Sequence, residues 1–348
     1  MHVQKYREAD LNIELQNAKQ LVRSYQKHFD HPKKDDLLVA LAAHSASQYR
    51  WRGMYPFGDH LNAEQVVTEF WQPLHNAFNH LQRRETVFFA GQNDVDDGET
   101  IWVCSSGHYM GLFDEPWLGI RSNNRLTMLP YTEFHCIGDG KITETAFFCD
   151  ILSVMQQSGQ YPLPPQMGSD ILRPGPKTND GIQDQPARPE EAERTMEILN
   201  QMIEDLDQLN KSGEDSCPPE YLARSWHEDM AWYGPTGIGA TYTIKRYQHQ
   251  HQYPFREGLT DKVYNGHVAR FAEGNYAGFF GWPNLNNRMS GGFLGMPAAA
   301  SGGEMRVVDI YRRDGDKLAE NWVYIDLLHY FAMQGLDLLE RNRQLQSD

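Results

Sequence analysis

"KITETAFFCDILSVMQQSG" occupies residues 141–159, and "KLAENWVYIDLLHYFAMQG" occupies residues 317–335. Laid side by side they match Lys141 with Lys317, Glu144 with Glu320, Asp150 with Asp326, Leu152 with Leu328 and Gly159 with Gly335. Each follows a Gly/Asp turn, "GDGK" or "DGDK". Upstream, "WRGMYPFG" (51–58) and "WYGPTGIG" (232–239) share a Trp, a Gly two residues on and a Gly seven residues on. The two matches differ in separation by a few residues, as loops of unequal length would require. Order, spacing and character agree, so the chain is a tandem duplication of one domain rather than a short-period solenoid.

With 348 residues the chain has room for two cores of ordinary size. A formal net charge of −15 argues against nucleic acid and anionic membrane surfaces as partners. No apolar run reaches the length of a membrane span, and "MHVQKYREADLNIELQ" carries no signal-peptide core. A cytoplasmic protein is therefore expected. Cys104, Cys136, Cys149 and Cys217 never form a C-x-x-C pair, which indicates neither a zinc ribbon nor a disulfide framework. The 8 Trp, 17 Tyr and 16 Phe suit either two aromatic cores or two aromatic-lined pockets.

Residues 158–190 hold seven prolines and four glycines and read as a linker. The expected division is a first domain over 1–165, a linker over 166–188 and a second domain over 189–348. In the first copy Leu11, Leu15, Ala18, Val22, Tyr25 and Phe29 mark one face of a helix; Met196, Leu199, Ile203 and Leu206 do so in the second. Short helices ("DDLLVALAAHSA", "PEYLARSW") lead to each Trp-Gly octapeptide. A further helix follows ("NAEQVVTEFWQPLHNAFNHL"; "TIKRYQHQHQYPF"), and then strands. Helices first and antiparallel strands after predict an α+β fold, a bent sheet covered by helices.

"WYGPTGIG", "GGFLGMP" (291–297) and "DGDKLAENWVYIDLLHYFAMQG" together resemble the signatures of SnoaL-like polyketide cyclases, within the nuclear transport factor 2-like superfamily. The second copy resembles it over most of its length. The first does so more weakly, through Trp51, Gly53, Gly58, "GHYMGLF", "LGI" and the K-x-x-E…D strand. Asn321 and Thr145 stand where that family has His, Ala146 where it has Trp, and "PAAASGG" where it has P-P-x-G. The resemblance implies two cone-shaped domains and a cofactor-independent enzyme that binds a small apolar carbonyl or polyketide-like compound. It also implies that the Asp four residues after the signature Trp, here Asp326, is the acid/base, with Asp150 its counterpart. Cones of this kind pair through their sheets, so an intrachain pseudo-dimer is expected, with a homodimer as a further option.

Strand alternation puts Glu320, Trp322, Tyr324 and Asp326 on one face and Asn321, Val323 and Ile325 on the other. With the first set turned inward, Trp322 and Tyr324 would form an aromatic wall that raises the pKa of Asp326. Asp326 otherwise serves as a helix cap. A second acid recurs, Glu133 in "YTEFHC" and Asp309 in "VVDIYR", as a partner carboxylate or as one salt-bridged to Arg306, Arg312 or Arg313. Asn321 and Tyr311 are candidate oxyanion donors. Trp51, Trp232, Tyr233, Phe293, His108 and His135 are candidate pocket residues. The histidines of "HQHQ" (249–252) point in different directions on a helix and have no acidic or Cys partners at ligand spacing, so no metal site is expected there. The glycines of 291–303 suggest a strand in close backbone approach and a loop at the cone's mouth. The expected chemistry is aldol cyclisation, isomerisation, hydration, dehydration or epoxide opening. The alternative is a non-enzymatic ligand-binding or assembly module of the same fold.

Overall fold

The computed structural model describes residues 2–30, 37–212 and 218–346. Two compact units emerge. One comprises Met1–Tyr161, Lys177–Ala187 and Leu338–Asp348, the other Pro162–Pro176 and Arg188–Asp337.

In the first unit α1 (His2–Asp30) and α2 (Leu37–His44) lead into β1 (Ser45–Gly53) and β2 (Gly58–His60). A helical block follows, made of α3 (Ala63–Val66), a π-turn (Val67–Trp71) and α4 (Gln72–Ala77). Then come β3 (Phe78–Gln92), β4 (Ile101–Phe113), β5 (Leu126–Gly138), β6 (Lys141–Cys149) and α5 (Ile151–Gln157). The second unit repeats the series with α6 (Pro189–Ser212), α7 (Pro219–Ser225), β7 (Trp226–Tyr233), β8 (Ala240–Tyr242), α8 (Ile244–Tyr247), a π-turn (Gln248–Gln252) and α9 (Tyr253–Gly258). It closes with β9 (Leu259–Tyr264), β10 (Ala269–Glu273), β11 (Tyr276–Met289), β12 (Gly303–Asp314), β13 (Lys317–Ile325) and α10 (Leu327–Met333); α11 (Leu338–Leu345) groups with the first unit.

The sheets run β2-β1-β6-β5-β4-β3 and β8-β7-β13-β12-β11-β10, with β9 also on β11. The same path in both units supports duplication at the level of topology. Each sheet is mixed rather than wholly antiparallel, because β1 runs parallel to β6 and β7 parallel to β13. A chain that crosses a helical block and a whole meander before returning can pair in either direction, and alternation alone does not reveal which.

The Trp-Gly motif has a steric basis. A Cβ at Gly53 would lie 2.0 Å from the Trp51 ring, and one at Gly234 would lie 2.1 Å from the Trp232 ring. Each Trp therefore folds over the glycine two residues on. Gly58 and Gly239 both take positive φ, as the turn back into β2 or β8 requires. The π-turns also recur for a reason. Pro73 and Pro254 lack an N–H and crowd the carbonyls of Glu69 and Gln250, four residues back and inside each π-turn, which favours a wider turn.

Several elements differ from expectation. The helix expected to reach Leu81 ends at Ala77, and Phe78 already belongs to β3. The "GGFLGMP" segment forms a 3₁₀ turn at Phe293–Gly295 rather than a strand, and β12 begins at Gly303. The helix read over "DDLLVALAAHSA" starts among residues outside those described, as does Cys217. The Pro/Gly-rich segment lies against both sheets. Ser169 bridges Ala240 at the edge of β8, and Ile182 bridges Phe88 on β3. No helix among the described residues is long and apolar enough to cross a membrane.

Candidate functional site

Cross-strand register fixes what lies beneath the helices. In the second sheet Asp309 pairs with Val323 and Phe279, and Tyr311 with Asn321 and Ala277. Asn321 in turn pairs with Trp232. Trp232 stacks on His251 of the π-turn at 4.2 Å, so this row is the inner face. Asn321 Nδ2 donates to Asp309 Oδ1 at 3.2 Å and to the Ile310 carbonyl at 3.0 Å. The Tyr311 hydroxyl also hydrogen-bonds Asp309. Burial pushes the Asp309 carboxyl up to about 6, against the lowering effect of those two neutral donors.

Aromatic groups pack along the same face. Phe279 lies 5.8 Å from Tyr311 and carries His267 stacked at 4.0 Å, while Trp226 lies 5.7 Å from Tyr311. Tyr247 packs against Trp232 and His251, each at 5.5 Å. Burial lowers His251 to about 3 and His267 to about 4, so both imidazoles are neutral at physiological pH. Asp309, Tyr247, His251, His267, Val307 and Ile325 all keep partial accessibility, whereas Tyr311, Asn321 and Trp232 are buried. Asp309 therefore keeps some access to solvent among these inner-face side chains.

The first cone is filled at the matching positions. Glu133 stands where Asp309 does, with Phe147 and Ser105 as its strand partners. Tyr131 and Phe147 occupy the places of Val307 and Val323, and Val66 and Phe70 those of Tyr247 and His251 in helical blocks of equal length. Glu133 is paired with Arg83 at 2.8 Å, with side chains 1% and 3% exposed, and accepts from Tyr109 at 3.2 Å. His135 lies 3.4 Å from Glu133 through Nε2 and 2.9 Å from Thr145 through Nδ1. Despite burial, Arg83 and then His135 bring the Glu133 carboxyl down to about 2. This acid stays ionised and walled in.

Several expected site residues are placed elsewhere. Trp322 and Tyr324 lie on the outer face: Trp322 donates to the Pro174 carbonyl at 2.9 Å and stacks on Tyr233, and Arg173 sits 4.4 Å over the Tyr324 ring. Tyr233, the strand partner of Trp322, shares that outer face. Glu320 shares that outer face and pairs with Arg312. Asp326 is fully buried and caps α10, accepting from His329 N at 3.1 Å with Arg306 3.5 Å away. Asp150 likewise caps α5, through Ser153 N at 3.0 Å. Both acids are committed to helix starts, the capping alternative of the sequence. Arg306, Arg312 and Arg313 bind Asp326, Glu320 and Glu191 instead of Asp309. Arg306 and Arg312 have the opposite strand parity, and Arg313 follows a register shift.

His108 sits on the face of β4 opposite Glu133. Trp51 is core, packed on Phe57, His60, Phe70 and Phe147. Phe293 packs between Phe255 and Tyr330. His249 packs on Tyr253 and His251 on Trp232, different partners as the spacing implied. Phe279, His267, Trp226, Tyr247 and His251 escaped the sequence reading as neighbours of the site. Their periodicity is that of ordinary core, and only the swap of Val66 and Phe70 for Tyr247 and His251 between copies could have marked the last two.

Fold and register together define a tandem α+β cone protein whose second unit carries a raised, partly accessible carboxyl on its inner face. No family model matches the chain, and no curated protein matches it by sequence. Among solved structures it is similar to a protein from Jannaschia provisionally named a SnoaL-like polyketide cyclase, at 20% identity over 43% of this chain and 94% of that one, with a TM-score of 0.32. A protein from Xanthomonas campestris provisionally named a polyketide cyclase gives 19% identity over 41% and 97%, with a TM-score of 0.33. A nuclear transport factor 2-like protein from Burkholderia thailandensis gives 16% over 41% and 96%, with a TM-score of 0.30. The architecture rests on the strand order above; these similarities stand beside it.

Proposed function

We propose that the second unit is a cofactor-independent acid/base enzyme, with Asp309 as the group that moves a proton next to the carbonyl of a small apolar compound. The observation that carries this is a carboxyl held near 6, touched by neutral donors and partly accessible on the inner face beneath the helical block. A base near 6 is ionised at neutral pH yet returns its proton readily. Asn321 and Tyr311 hold the carboxylate, and the aromatic walls accept a flat apolar ligand. The first unit, with Glu133 locked by Arg83, serves as a structural partner. Cyclisation of a polyketide-like carbonyl compound is the narrower form of this proposal, drawn from the sequence resemblance.

The test is α-proton exchange of a panel of aryl ketones, 2-tetralone among them, followed by NMR in D₂O. Asp309→Asn abolishes enzyme-dependent exchange and Asp326→Asn retains it. Equal exchange by wild type and Asp309→Asn refutes the proposal. Ketones that bind without exchanging favour the ligand-binding module.

A further inference from the structure

The first unit joins a hydroxyl to an imidazole on its surface. α1 carries Ser24 and His28 four residues apart, so both stand on one face of the helix. α2 ends at His44, whose imidazole reaches that face. Ser24 Oγ lies 3.0 Å from His44 Nε2, and His44 Nδ1 lies 2.7 Å from the Ala40 carbonyl oxygen, one turn back in α2. The His28 ring is 5.2 Å from the His44 ring, and the buried Tyr25 ring meets His44 edge-on at 6.3 Å. Ser24 is exposed and His44 partly so.

These hydrogen bonds assign the proton. A carbonyl oxygen only accepts, so Nδ1 is the protonated nitrogen of the neutral ring. Nε2 then carries the lone pair, and the Ser24 O–H donates to it. A nucleophile, a base within hydrogen-bond reach and a third group that orients the base are the parts of an activated serine. The second unit has no such pair. The separation that takes Trp51 to Trp232 takes Ser24 to Asp205 and His44 to Ser225, and Asp205 is there paired with Arg224 at 3.3 Å.

We infer that Ser24 is a covalent acyl-acceptor site, activated by His44 towards small activated acyl donors such as aryl esters, thioesters and acyl phosphates. Ser24 Oγ attacks the acyl carbon while His44 Nε2 takes its proton. The bond from that carbon to the leaving oxygen or sulfur breaks with its electron pair, and the imidazolium gives the proton to the departing atom. An ester on Ser24 and the free leaving group result. Ser24 lies inside α1, where backbone N–H groups are spent on the helix, so α1 offers none to the developing oxyanion. Such donors are worth about 100-fold to 1,000-fold in rate. The reaction is therefore confined to acyl groups whose leaving group departs readily, and it ends at the acylated serine instead of running to rapid turnover.

The test treats the full chain with 4-nitrophenyl acetate and maps the acetylated peptides by mass spectrometry. Wild type takes up acetyl on Ser24. His44→Gln lowers the rate at Ser24 by roughly 100-fold or more, the size of a positioned general base, while lysine acetylation keeps its rate. Ser24→Ala loses that label alone. Ring ¹⁵N NMR supplies a readout that needs no variant: neutral His44 carries its proton on Nδ1 and accepts a hydrogen bond at Nε2. Should His44→Gln fail to fold, Ser24→Cys keeps the base, and its thiol reacts with iodoacetamide at least about 10-fold faster than that of Lys27→Cys on the same helix. Acetylation of Ser24 within about 3-fold of wild type in His44→Gln overturns the proposal. So does acetyl found on His28 or lysines with Ser24 untouched, equal thiol reactivity at positions 24 and 27, or a neutral His44 protonated at Nε2. The acid/base reading of Asp309 is independent of all these outcomes.

Discussion

Replacing Asp309 by Asn is expected to make the protein more stable as well as inactive, and the gain depends on pH. The carboxyl sits at about 6 in the folded chain against 3.8 for an unperturbed Asp side chain. Between those values the folded state binds more protons than the unfolded one, so stability falls as pH rises. At about 1.36 kcal/mol per pH unit the full cost of holding this charge is about 3 kcal/mol above pH 7. At pH 5 the same relation leaves about 1.6 kcal/mol, because the folded carboxyl is then mostly protonated. Wild type should therefore lose about 1.4 kcal/mol more than Asp309→Asn between pH 5 and pH 8. Urea unfolding of both proteins at the two pH values measures this, and subtracting one from the other removes every group they share. A constant offset reflects the changed hydrogen bonds of Asn, so the pH-dependent part is the readout. A difference that stays flat from pH 5 to pH 8 would refute a raised Asp309 and with it the acid/base argument.

The first cone behaves oppositely. Glu133 at about 2 contributes stability that is complete above its unfolded value of 4.5 and is lost as pH falls towards 2. Arg83→Met leaves that carboxylate buried without its cation and should cost about 3–5 kcal/mol in urea unfolding, while adding Glu133→Gln recovers most of it. Gly234→Ala drives a methyl into the Trp232 ring and should cost about 1–3 kcal/mol with a loss of near-UV circular dichroism; an unchanged melt would contradict the overlap. Asp326→Ala removes a cap, expected to cost about 1 kcal/mol while leaving ketone exchange within a few-fold of wild type. Collapse of exchange in a folded Asp326→Ala protein would return Asp326 to the catalytic role.

Duplication, the α+β order of elements and the recurrence of an acid at Glu133 and Asp309 were all legible in the chain. So was the coupling of each Trp to the glycine two residues on, although its cause, a ring lying over a bare Cα, needed coordinates. The period of two along β13 correctly divided Glu320, Trp322 and Tyr324 from Asn321 and Val323. Which set faces inward was not legible, because alternation is symmetric about the sheet. That choice was made by the helical block, which lays His251 on Trp232 and Tyr247 beside it, and by the segment around Arg173 and Pro174, which covers the other face. The two acids likewise read as equivalents in sequence. Only packing separates them: Arg83 and two extra rings, Tyr131 and Phe147, close over Glu133, while Val307 and Val323 leave Asp309 open. A carboxyl's chemistry is set by the charges and solvent around it, which a linear sequence does not contain.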